Sequence, residues 1–158
     1  MSKNKKTNAI RLLDSQKVPY ELLEYEAADG KIDGISVAEK IGFPTEHVFK
    51  TLVTTAGPGK YFVCVIPVDK ELNLKKVAKE VGEKKVDLLP VKELLAITGY
   101  VRGGCSPVGM KKLFPTLLDD QASDLTYIIV SGGKIGLQVK LAVEHLVQLT
   151  NGKIASIC

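Results

Sequence analysis

Two places in this sequence combine residue type and spacing in a way that can do chemistry. One is a lysine inside an apolar strand; the other is a doubled glycine beside a thiol. In residues 48–55, VFKTLVTT, strand alternation puts Val48, Lys50 and Leu52 on one face and Phe49, Thr51 and Val53 on the other. Both faces are apolar around Lys50, so the strand is expected to be covered on both sides. A lysine in such a place is either paired or lines a cavity, or it runs its stem to the rim and keeps its head in water.

Residues 100–109, YVRGGCSPVG, hold the second place. Ser106 is a good helix N-cap and Pro107 a good first helical residue, so the plain reading is a loop entering a helix. Gly103 and Gly104 just before that start would gather bare backbone N–H groups, which can hold a phosphate or a developing oxyanion. Cys105 lies between the glycines and the cap. It is either a thiol activated by a helix N-terminus or a buried, inert cysteine. Neither His47 nor His145 is placed by the sequence to act as its base, and no Ser/His/Asp order or Walker motif is present.

Composition bounds the possibilities. The chain of 158 residues, 45% apolar and 25% charged, suits one globular domain over residues 1–158. No apolar run approaches the roughly 20 residues that cross a bilayer. The lysine-bearing start has no apolar segment after it, so it does not read as a secretory signal. Cys64, Cys105 and Cys158 form no CxxC pair, which argues against structural zinc and for a reduced, cytoplasmic setting. No cofactor or metal is expected, and a monomer is the default. The net charge of +4 has lysines grouped at Lys3, Lys5 and Lys6, at Lys75, Lys76 and Lys79, at Lys84 and Lys85, and at Lys111 and Lys112. Such groups suit a polyanionic partner or simply solvated faces.

The elements that must position these residues follow from periodicity and punctuation. A helix over residues 7–16 is capped by Thr7, and a strand follows at 20–25. Ser36 and Glu39 form a capping box for a short helix that stops at Gly42. Residues 48–55 and 61–68 form a hairpin across Gly57-Pro-Gly59. Asn73 caps a basic amphipathic helix over 74–81 that ends at Gly82, and a second helix spans 91–97. Short strands at 116–118, 125–130 and 135–139, a helix at 141–149 and a strand at 153–157 complete the chain, with Ser131-Gly-Gly-Lys134 as a tight turn. This is an α+β domain built on a mixed, mostly antiparallel, barrel-like sheet with surrounding helices.

Several motifs in register carry a resemblance across nearly the whole chain: VFKTL around Lys50, LNLKKVAKEVG at 72–82, TGYVRGGCSPVGMKK at 98–112, FPTLLD at 114–119 and VSGGKIGL at 130–137. The combination resembles the YbaK/EbsC family of bacterial aminoacyl-tRNA deacylases, related to the editing (insertion) domain of bacterial prolyl-tRNA synthetase. Within it, the Cys-tRNA(Pro) deacylase branch is most similar. The resemblance implies hydrolysis in trans of cysteine misattached to proline tRNA, with Cys-tRNA(Cys) as a further substrate. The partners it implies are the aminoacylated acceptor end of tRNA and prolyl-tRNA synthetase. Family members are thought to let the substrate's own thiol attack the ester, which needs no protein nucleophile. By resemblance, Tyr25, Lys50, Thr51, Gly103, Gly104, Cys105, Ser106, Pro107 and Ser131 fall in the pocket. Lys50 would hold the substrate as a cation, while the Gly103 and Gly104 amides would stabilise the oxyanion. Gln138 stands where relatives often have an acid, so no carboxylate role carries over. The alternatives are a hydrolase with Cys105 as nucleophile, a deacylase for another amino acid as in Ala-tRNA(Pro), and a non-catalytic RNA- or nucleotide-binding module.

Overall fold

The computed structural model describes residues 6–158, so Lys3 and Lys5 of the first lysine group lie outside the described residues. Two sheets carry the fold. The smaller has the order β1-β7-β6, from Glu21–Glu24, Leu137–Ala142 and Tyr127–Ser131, and is antiparallel throughout. The larger has the order β4-β2-β3-β5-β8. The long β2–β3 hairpin (Phe49–Gly57, Lys60–Pro67) pairs antiparallel, with β4 (Asp87–Leu88) on its flank; β5 (Thr116–Asp119) and β8 (Lys153–Ala155) join in parallel. The sheets touch through one parallel bridge, Val48 to Ile129. The expected α+β mixture is present, but as two sheets meeting at a point rather than one barrel-like sheet.

Why these residues form these elements is visible at their ends. Helix α1 (Asn8–Ser15) starts where the Thr7 hydroxyl accepts the Ile10 amide, and it buries Ala9, Ile10 and Leu13. Helix α3 (Leu74–Val81) starts where Asn73 accepts the amides of Lys75 and Lys76, and it stops at Gly82 in the left-handed conformation. Helices α4 (Val91–Thr98) and α5 (Val143–Thr150) fall close to their expected places, although Leu141 belongs to strand β7. The strand expected at 135–139 begins only at Leu137, so the turn after Ser131 is wider than a two-residue hairpin.

Helix α2 (Gly34–Ile41) corrects the capping box. Its cap is Asp33, whose carboxylate accepts the Ser36 amide, so Ser36 lies inside the helix. Gly34 can open the helix because its bare Cα packs directly on the Val68 side chain, where a Cβ would collide.

Three apolar clusters fill the layers. The largest joins α1 and α5 to one face of both sheets, through Phe49, Val63, Val65, Val130, Val139 and Leu146. The second puts α3 on the other face of the hairpin through Cys64, Ile66 and Val77. The third packs α2 on Val48, Val68 and Ile129 through Ala38.

Asp33 is therefore expected to matter more than Ser36. Asp33→Ala should lower the free energy of unfolding in urea by about 1 kcal/mol, whereas Ser36→Ala should stay within about 0.5 kcal/mol. Hydrogen bonds from Ser36 hold the Asp33 carboxyl below its usual range. The difference between wild type and Asp33→Ala should thus persist at neutral pH and fade as pH falls through that lowered value.

Candidate functional site

Strand parity brings four polar side chains onto one face. In β2, Phe49 belongs to the large core while Val48 packs under α2 and Leu52 under α3. Lys50 therefore projects between α2 and α3, paired across the hairpin with Ile66. In β6, Ile129 packs under α2, and Ser131 shares its face. Ser131 pairs with Gln138 of β7, and Gln138 pairs with Leu23 of β1, again under α2. Tyr25 follows Leu23 on the same face, its amide bonded to the Gly136 carbonyl at 3.0 Å. Lys50 and Ser131 each lie two residues past the Val48–Ile129 bridge, on the same face of their strands. The row across β1, β7, β6 and β2 is Leu23, Gln138, Ser131, Lys50, with Tyr25 two residues beyond Leu23 on the same face.

Beyond that bridge the two strands no longer pair, so Lys50 and Ser131 flank a fork between the sheets. The fork is poor in internal partners. Half-buried Lys50 makes no ion pair or hydrogen bond among the described residues. The Tyr25 hydroxyl is buried without a partner. Gln138 is 7% exposed, and its carboxamide makes no hydrogen bond among the described residues. Ser131 accepts the Gly133 amide at 3.2 Å. Buried polar groups are normally satisfied, so the unpartnered Tyr25 hydroxyl, on the face that also carries Lys50 without an ion pair, makes this face the candidate site.

The glycine loop closes one end of this row. Gly103, at φ +86, gives residues 101–104 a turn in which the Gly104 amide donates to the Val101 carbonyl at 2.9 Å. A Cβ on Gly103 would meet Ile32 at 2.8 Å and Ile135 at 3.4 Å. A Cβ on Gly104 would sit 2.8 Å from the backbone of Lys134 and Ile135. The glycines thus let three loops touch: the one before α2, residues 100–109, and the turn after Ser131. Thr7 pins the assembly through a hydrogen bond to the Gly132 carbonyl, and Tyr100 closes its own loop on the Val108 carbonyl at 2.6 Å.

Several expected roles change. No helix begins at Ser106; its hydroxyl accepts the Val108 amide in a local turn, because Gly109 at φ +77 and the absence of an apolar period leave nothing to propagate. Pro107 is accordingly a loop residue. The Gly104 amide is spent on its turn, so it is not a free oxyanion donor. The amides of Gly103, Cys105 and Ser106 find no acceptor among the described residues. Thr51 shares the face of Phe49, which belongs to the large core, opposite Lys50, with its hydroxyl buried and unpartnered. Cys105 is also part of that core, and burial pushes its thiol up to about 12, so it is protonated at neutral pH. His47 stacks on Tyr127 at 4.1 Å and its Nδ1–H donates to the Tyr127 carbonyl at 3.2 Å, away from Cys105. Gln138 is the functional candidate to which the sequence reading assigned no role; only the strand pairing shows that it shares a row with Lys50. The cavities beside Met110 and beside His145 lie away from this fork.

A two-sheet α+β fold with a cationic fork walled by glycine turns defines a class. The sequence model of the aminoacyl-tRNA editing domain family matches residues 34–149, and the chain belongs to that family. It is 49% identical over 152 residues, 96% of this chain and 93% of its relative, to a protein of Enterococcus faecalis assigned as Cys-tRNA(Pro)/Cys-tRNA(Cys) deacylase EbsC. It is also 26% identical to the proline–tRNA ligase of Burkholderia ambifaria, with 83% of this chain matching 23% of the ligase. Among solved structures, a candidate trans-editing enzyme for prolyl-tRNA synthetase shares the fold at TM-score 0.82 and 20% identity, covering 98% of both chains.

The buried, protonated state of Cys105 is testable directly. At pH 7.5 the folded protein should alkylate Cys105 with iodoacetamide at least about 100-fold more slowly than the urea-unfolded chain, read by peptide mass spectrometry. Equal rates would contradict the placement.

Proposed function

We propose that this chain is a trans-editing deacylase that hydrolyses Cys-tRNA(Pro), with Cys-tRNA(Cys) as a second substrate. The reaction class is deacylation of an aminoacyl-tRNA. The observation that carries the reading is one sheet face bearing Lys50, Ser131, Gln138 and Tyr25, with Lys50 lacking an ion pair and the Tyr25 hydroxyl buried without a partner, in a chain 49% identical to the E. faecalis protein over nearly its whole length. A cation held between two sheets without a counter-ion suits an oxygen-rich, anionic substrate end.

The scissile bond is the ester between the cysteinyl group and the terminal ribose. The substrate thiol attacks its own carbonyl carbon. The new C–S bond closes a cyclic thioester as the C–O bond breaks, and the thiol proton ends on the departing ribose oxygen; water then opens the thioester to free cysteine. The residues at the fork supply no nucleophile–base pair, which favours this route over attack by Cys105. Charge on the carbonyl oxygen is met by Lys50 and by the unengaged Gly103 amide, and such donors are typically worth about 10²-fold or more in rate. Editing of this kind answers a physical limit. Proline and cysteine differ so little in size that a synthetic pocket separates them by only about 1–3 kcal/mol.

The same reading makes residues 1–158 a single editing domain that works in the cytoplasm. It meets the aminoacylated end after release from prolyl-tRNA synthetase.

Lys50→Ala should reduce kcat/KM for Cys-tRNA(Pro) by about 100-fold or more with an unchanged melting temperature, measured beside Ala-, Ser- and Pro-tRNA(Pro). Undiminished turnover by Lys50→Ala would remove the fork from the reaction, and turnover of Ala-tRNA(Pro) alone would reassign the substrate.

A further inference from the structure

A fork that receives the ester must also find room for the nucleotide attached to it. Beside the fork, three loops meet around Gly103. The turn that leaves Ser131 carries Lys134 and Ile135 and returns to the sheet where the Gly136 carbonyl accepts the Tyr25 amide at 3.0 Å. This mouth therefore adjoins the face that bears Lys50, Ser131 and Tyr25.

Each loop brings the same pair of chain neighbours, one cation and one apolar residue. They are Lys31-Ile32 before α2, Val101-Arg102 ahead of the glycines, and Lys134-Ile135 in the turn. The apolar members gather. A Cβ on Gly103 would stand 2.8 Å from the Ile32 Cδ1 and 3.4 Å from the Ile135 Cγ1, so both side chains lie against the same glycine. They stay open to water: Ile135 is 40% exposed, and Val101, in the Gly103 turn, is 46% exposed. Isolated exposed apolar residues are ordinary, whereas several from separate loops at the edge of a site make an apolar step.

The cations are uncommitted. Lys31, Arg102 and Lys134 are exposed, and none forms an ion pair among the described residues. Residues 100–109 and 131–137 contain no Asp or Glu. The carboxylates of the loop before α2 are engaged locally: Glu26 accepts the Ala28 amide, Asp29 pairs with Lys40, and Asp33 caps α2. An apolar step beside unpaired cations matches a nucleotide, whose base offers a flat face and whose phosphate is an anion.

We propose that this three-loop mouth is a nucleotide subsite. Ile32 and Ile135 carry the base of the nucleotide whose ribose bears the ester, and Lys31, Arg102 and Lys134 meet its phosphate. The proposal rests on the deacylase reading of the fork and adds to it how the RNA end is held. Contact between a base face and aliphatic side chains reads no donor or acceptor pattern, so the subsite demands a base without choosing which.

The test measures kcat/KM on acceptor-stem microhelices of tRNA(Pro) charged with cysteine, whose last nucleotide carries adenine, uracil or no base. Wild type should favour adenine over the abasic end by about 10-fold or more, and adenine over uracil by no more than about 3-fold. In Ile135→Ser the preference for a base should fall to about 2-fold or less, a ratio taken within one protein and so independent of how much of it is folded. Arg102→Gln should lower kcat/KM for all three ends and make its logarithmic dependence on salt concentration shallower by about 0.7. Equal turnover of adenine-ended and abasic microhelices by wild type overturns the proposal and leaves the deacylase reading standing. A base preference that survives Ile135→Ser, discrimination against uracil as large as that against the abasic end, or an unaltered salt dependence in Arg102→Gln does the same. Absence of turnover of every microhelix by wild type overturns both.

Discussion

An ammonium group held at a fork between two sheets, with nothing inside the protein to neutralise it, is the constraint around which the rest is arranged. Removing a charge from water costs several kcal/mol unless a partner meets it. Lys50 has none among the described residues, and its flanking strand positions, Val48 and Leu52, are pinned under two different helices. The strand therefore cannot rotate the lysine out to solvent without exposing one apolar neighbour or the other. A half-buried lysine so placed, with no ion pair among the described residues, is free to meet an anionic group brought to the fork.

The loops serve the same end by different means. Gly103 and Gly104 do not act as a pair of equivalent donors. The first supplies a positive φ and a close approach to Ile32 and Ile135. The second lets two backbones lie together and gives up its amide to the turn. Helix α1 reaches in from outside the sheets, with Thr7 bonded to Gly132 and the Asn8 backbone 2.9 Å from where a Gly109 Cβ would stand, so one helix end fixes both loops. A helix remote in sequence thus sets the shape of one end of the row.

Local signals in the sequence were enough for most of the fold, because caps, stops and alternation act within a few residues. Thr7, Asn73, Gly42 and Gly82 do what their types imply. Where two local patterns overlap, packing beyond the window decides between them. Asp33 out-competed Ser36 because Gly34 can lie against Val68 and extend the helix backward. Ser106-Pro107 resembled a helix start, but a cap needs an amphipathic run to stabilise, and Gly109 ends it at once. Lys50 stood out in the sequence because alternation is local. Gln138 did not, since its place depends on β1, β7, β6 and β2 meeting in register, which no short window of sequence records. The same limit explains Thr51 and Cys105: neighbours of site residues in the chain, they turn to the opposite side, into the core.

The most direct test of the unneutralised cation is nuclear magnetic resonance of protein carrying 13C at the lysine ε position, with the Lys50 signal assigned from Lys50→Arg. On addition of 3′-amide-linked cysteinyl-adenosine, the Lys50 ε resonance should move more than that of any other lysine and saturate with the ligand. A Lys50 resonance that stays fixed while the ligand binds and shifts other lysines would contradict the account.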